Sequence, residues 1–325
     1  MALLEVENLV VRLRTSFGLA EAVRGIGFAL ERGETLGLIG ESGSGKSMTA
    51  LALLGLLPEG SQIAGQIRLD GKNLVGMDER ALCAIRGNRI GIVFQEPMTA
   101  LNPVHRIGHQ VAEALTVHGR MTGGAARTEA IRLLDRVGLP DAARRADAFP
   151  HQLSGGQRQR VTIAMALACG PDILIADEPT TALDVTIQGQ ILDLIDELVA
   201  ERHMAMILIS HDLGVIAENV ERMLVMYGGT VVESGPTAEV FRRMAHPYTQ
   251  GLMAARPRLG ATKGSLLATI PGSVPELHAF PSGCPFAGRC RLAIDECQKA
   301  VPKLDSVGPE HMARCIRLDA ALAPA

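Results

Sequence analysis

Eight residues constrain this chain more than any others: Gly40, Glu41, Ser42, Gly43, Ser44, Gly45, Lys46 and Ser47. They match G-x-x-x-x-G-K-[ST] at every fixed position. The short apolar run Thr35–Ile39 before them predicts a buried strand, and residues 48–57 after them predict a helix. In that context backbone N–H groups curl around phosphate oxygens, and the helix dipole favours an anion. Lys46 is then expected at the β- and γ-phosphates of a nucleotide such as ATP, with Ser47 on Mg²⁺ and Met48 following directly. The competing reading is a glycine-rich structural turn; the full match and both flanks weigh against it.

A second feature lies downstream. Residues 173–176 are wholly apolar and end in Asp177 and Glu178. A carboxylate at the end of a buried strand is costly unless it has a partner. Mg²⁺ supplies one, so Asp177 is expected on the metal side of the nucleotide and Glu178 as the base that polarises the attacking water. Alone, the pattern is ordinary, since many strands end in an acid, and a solvated strand-end charge remains the alternative for Glu178.

Apolar runs at residues 63–69, 89–94, 204–209 and 223–227 predict further strands, and residues 3–13, which alternate and are rich in Leu and Val, predict another. Helical patterns fall at 125–137, 158–168 and 187–202. Strands alternating with helices predict an α/β fold. A helical block, about 97–160, interrupts the alternation. After about residue 245 Pro, Gly and Cys become frequent and periodicity fades. The expected division is an ATPase domain at 1–245 and an extension at 246–325.

Composition narrows the partners. Lys and Arg total 32 against 35 Asp and Glu, a net charge of −3, and aromatics are 3% with no Trp. That balance argues against phosphate-backbone binding and base-stacking surfaces. The longest apolar run, 48–57, is far short of the ~20 residues that span a bilayer. The first residues carry Glu5 and Glu7 and no basic segment, so no signal peptide is expected. The chain is expected in the cytosol, working at a membrane only by docking to another protein.

Leu153-Ser154-Gly155-Gly156-Gln157 precedes the helical run at 158–168 and reads by itself as a helix N-cap that could contact phosphate. Between a phosphate loop and an Asp-Glu strand end, it resembles the signature motif of ABC transporter ATPases. Gln95, after the 89–94 strand, resembles the family's Q-loop glutamine. Ala182-Leu183-Asp184 resembles its D-loop, and Ser210-His211-Asp212 its switch-histidine loop. The segments at 94–103, 150–160, 184–188 and 246–252 are similar to the oligopeptide/dipeptide importer ATPases, a pattern shared with nickel and other metal-complex importers. The cysteine-bearing tail extends the likeness over nearly the whole chain.

That resemblance implies a RecA-like P-loop NTPase core with an inserted helical subdomain, an N-terminal antiparallel β subdomain and a Cys-rich C-terminal extension. It implies two ATPase subunits, a paralogue or a second copy, meeting head to tail. ATP would lie between one subunit's loop at 40–47 and the other's Ser154, Gly155, Gly156 and Gln157, with Asp184 close by. Gln95 would sense Mg²⁺ and the attacking water, and His211 would hold the γ-phosphate beside Glu178. Two transmembrane permeases and, indirectly, an extracytoplasmic solute-binding protein are the implied partners, with the chain peripheral on the cytoplasmic face of the membrane. Family members stack adenine on an aromatic shortly after the first strand. Here that position falls on Leu13 and the nearest aromatic is Phe17, so adenine packs on aliphatic surface or Phe17 reaches in. The competing function is a soluble ATPase of the same family acting on nucleic acid or ribosomes.

Six cysteines remain. Cys83 and Cys169 are isolated and are expected to be small core residues. Cys284, Cys290, Cys297 and Cys315 fall close together, which leaves three readings. Disulfides suit a cytosolic nucleotide enzyme poorly. Zinc is open, although the usual C-x-x-C knuckle is missing. Four thiolates on irregular loops also fit an iron–sulfur cluster, and resemblance to importer ATPases with this tail implies [4Fe–4S].

Overall fold

Short apolar runs become strands here, and the amphipathic and alanine-rich stretches between them become helices. The computed structural model describes residues 2–181, 183–256 and 269–323. In chain order its elements begin with β1 (Leu4–Thr15), β2 (Gly18–Leu30), β3 (Thr35–Ile39), α1 (Lys46–Leu53), β4 (Gln62–Leu69), β5 (Lys72–Asn73), α2 (Glu79–Ile85) and β6 (Ile90–Val93). A helical stretch follows, with α3 (Pro97–Ala100), α4 (Ile107–Val117), α5 (Gly123–Arg136), α6 (Ala142–Arg145) and α7 (Gly155–Leu167). Then come β7 (Ile173–Asp177), α8 (Val185–Arg202), β8 (Ala205–Ser210), α9 (Leu213–Asn219), β9 (Arg222–Tyr227), β10 (Thr230–Pro236), α10 (Thr237–Arg242) and α11 (Pro247–Ala254). The last elements are β11 (Asp305–Gly308), β12 (His311–Ala313) and α12 (Leu318–Leu322).

The chain divides into two compact units. One comprises residues 30–34 and 76–209. At its centre β6, β7 and β8 run parallel, with Ile90 opposite Ile173 and Asp177 opposite Ile209. β7 is buried at every residue, as expected for a strand covered on both faces. α4 buries Ile107, Val111 and Leu115, one residue per turn, and packs on α5 and α7. α8 buries Ile191, Leu194, Ile195, Leu198 and Val199 and ends at His203, whose φ of 49° is the left-handed C-cap conformation.

The other unit comprises, among the described residues, 2–29, 35–75, 210–256 and 269–323. β3 pairs parallel with β9, Leu36 opposite Arg222, and β10 and β12 continue the pairing antiparallel. A separate sheet runs in the order β2-β1-β4-β5, with β1 antiparallel to β4. Tyr227 at the end of β9 packs edge-on against Tyr248 of α11 and against Phe286, with centroids 4.7 and 5.1 Å away. Glu233, fully buried on β10, accepts from the backbone N–H groups of Ala245 (2.6 Å) and His246 (2.9 Å) and pairs with His311 Nε2 at 2.8 Å. This carboxylate fixes the entry to α11 and the β12 strand together.

Several expectations change. The helix after the phosphate loop starts at Lys46 and not at Met48, because Gly45 adopts the left-handed N-cap conformation, and it stops at Leu53 before Gly55 turns the chain. The tail is not irregular throughout: residues 305–313 form a hairpin that adds β12 and β11 beyond β10. Cys83 is exposed on α2 beside Glu79 and is no core residue, whereas Cys169 is buried against the Ala114 carbonyl. Ala182, part of the expected D-loop, lies outside the described residues.

Candidate nucleotide site

The loop at 40–47 is shaped by its glycines. Gly40 has φ 154°, and a Cβ there would lie 2.2 Å from the Met226 carbonyl, so no other residue fits. Lys46, buried at the first position of α1, donates through Nζ to the carbonyls of Gly40 (2.7 Å) and Glu41 (3.0 Å) and to Ser44 Oγ (3.4 Å). These bonds set the ammonium inside the curl of the loop. Ser47 and Met48 occupy the next two positions of α1, and Ser42 and Gly43 form the exposed loop tip. No side chain caps α1 and its first turn carries no acid, so the positive end of its dipole points toward the loop. Chemically, this is an anion cradle with one buried cation.

The same unit carries the residues expected near adenine. Leu13 is half-buried on β1. Phe17 sits in the β1–β2 turn, 75% exposed, with one ring face against His278 at a centroid distance of 4.4 Å. His278 was not legible as a site residue, because it lies 261 positions from Phe17 in the chain (278 − 17). Exposed His211 stands between the end of β8 and Asp212, which caps α9 by accepting from Gly214 N–H at 2.6 Å.

In the other unit, Asp177 ends β7 almost fully buried, 7% exposed. Glu178 leaves the strand with φ 47°, a left-handed conformation that costs a non-glycine residue about 1 kcal/mol or more. Its N–H donates to the Ile209 carbonyl at 3.0 Å, which holds that conformation. Gln95 Nε2 and Thr181 Oγ1 both donate to Glu178 Oε2, at 3.1 and 2.9 Å. Two residues expected to act on the attacking water are thus joined directly. Thr181 is an addition; its only sequence signal was closeness to Glu178.

Ser154 caps α7 in a reciprocal box: its Oγ accepts from Gln157 N–H at 3.4 Å, and Gln157 Oε1 accepts from Ser154 N–H at 3.1 Å. Asp184 caps α8 by accepting from Ile187 N–H at 3.0 Å. The two helix starts share one concavity of about 550 Å³, lined by Ser154, Gly155, Gly156, Gln157, Leu183 and Asp184 among others. Gly156 is required by close approach, since a Cβ would come within 2.8 Å of Ile187 Cγ2. Two exposed helix N-termini at one concavity can accept an anionic group.

The four tail cysteines are free thiols. Burial first, and then the neighbouring Cys297, Cys315 and Cys290, push the Cys284 thiol up to about 11. Cys290 and Cys315 are raised in the same way, by burial and then by the other thiols of the group. The four are therefore neighbours in space. Among the described residues, however, no group of three or more His, Cys, Asp or Glu side chains is arranged to hold a metal ion, so the expected ligand set is gathered without being in ligating geometry.

Comparison with known proteins identifies the family. The sequence model of the ABC transporter family matches residues 23–181, and that of the oligopeptide/dipeptide transporter C-terminal region matches residues 232–297. A Brucella abortus protein named as a peptide import ATP-binding protein is 54% identical over 97% of both chains. The oligopeptide transport ATP-binding protein OppD of Salmonella typhimurium is 47% identical over 97% of this chain and 93% of its own. Among solved structures, the dimeric ATP-binding cassette MJ0796, in a post-hydrolysis state bound to ADP and Pi, superposes with a TM-score of 0.64 at 30% identity, covering 72% of this chain and 98% of its own. An ATP-binding cassette fold followed by a peptide-transporter C-terminal region places this chain among the ATP-binding subunits of ABC transporters, in their oligopeptide/dipeptide import branch.

Proposed function

We propose that this chain hydrolyses ATP to power import of peptides through an ABC transporter. The observation that carries the reading is likeness to peptide-import relatives along the whole chain, C-terminal region included. The site chemistry supports it. Lys46 and the loop N–H groups would hold the β- and γ-phosphates, while Ser47, Asp177 and Gln95 would serve Mg²⁺. Glu178, oriented by Gln95 and Thr181, would take a proton from the attacking water, with His211 at the γ-phosphate. Ser154, Gly156 and Gln157 would meet ATP held by a second ATPase subunit, a paralogue or another copy, with Asp184 beside them. Half a site per chain makes hydrolysis depend on assembly. Phe17, backed by His278, is the aromatic surface for adenine. Nothing in the charge balance or the relatives favours nucleic acid or ribosomes as the target.

The described residues contain no helix long and apolar enough to cross a membrane, which fits a subunit docked on two permeases at the cytoplasmic face, with a solute-binding protein on the other side. The docking surface follows Gln95, where Met98 and Val104 are 62% and 74% exposed. Leu101, between those two in the chain, is 2% exposed and belongs to the core. Residues 1–245 would form the ATPase domain, with a helical subdomain at about 97–160 and the extension after it. Cys284, Cys290, Cys297 and Cys315 are the thiols that would hold a [4Fe–4S] cluster, and their side chains would have to turn into ligating geometry to do so. Iron and acid-labile sulfide assayed after anaerobic purification test that assignment; colourless, iron-free protein overturns it. The function itself is tested by purifying the tagged chain in mild detergent. Two multi-spanning permeases and a second ATPase should accompany it; ribosomal partners without membrane protein would overturn the reading.

A further inference from the structure

Glu41 faces two ways. Its backbone carbonyl accepts from Lys46 Nζ at 3.0 Å, and its backbone N–H donates to Tyr248 Oη at 2.7 Å. Its carboxylate is gripped by Arg289, Nη1 to Oε2 at 2.6 Å and Nη2 to Oε1 at 3.1 Å, a bidentate fork 248 positions along the chain. Arg289 has only 7% of its side chain exposed. Its remaining donor capacity goes to the carbonyls of Pro271 (2.8 Å), Ile270 (3.4 Å) and Gly272 (3.4 Å) and to Tyr227 Oη (3.4 Å). A planar guanidinium that is buried and satisfied on every side holds its partners in one geometry. Its neighbour in the chain is Cys290. The phosphate loop is therefore clamped at Glu41, through side chain and main chain, by residues of the C-terminal extension.

We infer that Arg289 is a positioning residue of the nucleotide site, through which the cysteine-bearing extension sets the conformation of the phosphate loop and hence the affinity for ATP. The inference rests on the loop at 40–47 being the ATP site. Arg289 touches no reacting atom. It acts by keeping Glu41, and with it the carbonyl that locates Lys46, in the binding-competent arrangement. Losing the clamp lowers the fraction of chains in that arrangement, and apparent affinity falls in proportion.

The test is titration of the full-length chain with a fluorescent ATP analogue, alongside thermal melting, and ATPase kinetics of the assembled transporter. Arg289→Met is expected to weaken binding about five- to tenfold, raising KM for ATP with little change in kcat. Arg289→Lys, which keeps the charge but loses the fork, should fall between it and the wild type. Glu41→Gln should weaken binding similarly, and the double variant should be no worse than the worse single one. Wild-type affinity in Arg289→Met, whatever its melting temperature, would overturn the inference, as would additive losses in the double variant. Should Arg289→Met fail to fold, unchanged affinity in both Arg289→Lys and Glu41→Gln overturns it. A wild-type chain that does not bind the analogue would instead overturn the ATP-site reading itself.

Discussion

Thr181→Val isolates the orientation of the proposed base. Thr181 Oγ1 donates to Glu178 Oε2 at 2.9 Å, and valine has the same shape without the donor. The backbone at Glu178 does not depend on this hydroxyl, because it is held by N–H bonds from Glu178 to Ile209 and from Thr181 to the Glu178 carbonyl. A hydrogen bond to a charged group contributes about 1.5–3 kcal/mol, and the half-exposed position argues for the lower end. About 1.4 kcal/mol of lost orientation corresponds to roughly a tenfold fall in kcat. The assay is steady-state ATP hydrolysis by the assembled transporter. Thr181→Val should lower kcat about tenfold with KM for ATP within about twofold, the pattern of a contact that matters in the transition state. Thr181→Ser, which keeps the hydroxyl, should stay near the wild type. A normal kcat in Thr181→Val, or a serine variant as slow as the valine, would remove the Thr181 hydroxyl from the orientation of Glu178.

Three further outcomes follow from the geometry. Phe17→Ala should weaken ATP binding about fivefold by removing a stacking face, and His278→Ala less so; unchanged affinity in Phe17→Ala removes that ring from the site. His246 is wholly buried, and burial pushes its imidazole down to about 4, against the opposing pull of Glu233. The unfolded chain therefore binds a proton that the folded chain refuses, so this stability is fully present above pH ~6.5 and is lost as the pH falls toward 4. Resistance to urea should drop by about 2 kcal/mol between pH 7 and 5 on this basis; His246 Nδ1 caps α11 by accepting from Tyr248 N–H at 3.1 Å, and His246→Asn, which keeps an acceptor there, should flatten the slope, an identical slope in the variant contradicting it. Met98→Asp combined with Val104→Asp should abolish peptide uptake while leaving ATP hydrolysis intact, and unaffected uptake would place the permease contact elsewhere.

The local chemistry of the site was legible because it is written in contiguous residues. A loop must carry its glycines and lysine at fixed spacing, and a buried strand ending in two acids announces itself by cost. The joined pair Gln95 and Glu178 was expected in role, and the structure adds their contact. What escaped is either short or distant. β2 contains Gly25 and Gly27, which blur its alternation, and β11 and β12 span four and three residues, below any usable periodicity. The role of Arg289 escaped, because nothing in its sequence neighbourhood names Glu41. His278 escaped for the same reason: contacts across more than two hundred residues leave no local pattern. The cysteine group was legible as a group, but four thiols that sense one another do not by spacing alone choose between a metal and none.

The most direct test of the account is peptide uptake by vesicles containing the whole transporter, with ATP on the side of this chain, for the wild type and Glu178→Gln. The wild type should show ATP-dependent uptake, and Glu178→Gln should retain ATP binding with hydrolysis and uptake both lost. Uptake that needs no ATP, or a Glu178→Gln variant that hydrolyses and imports at the wild-type rate, would contradict it.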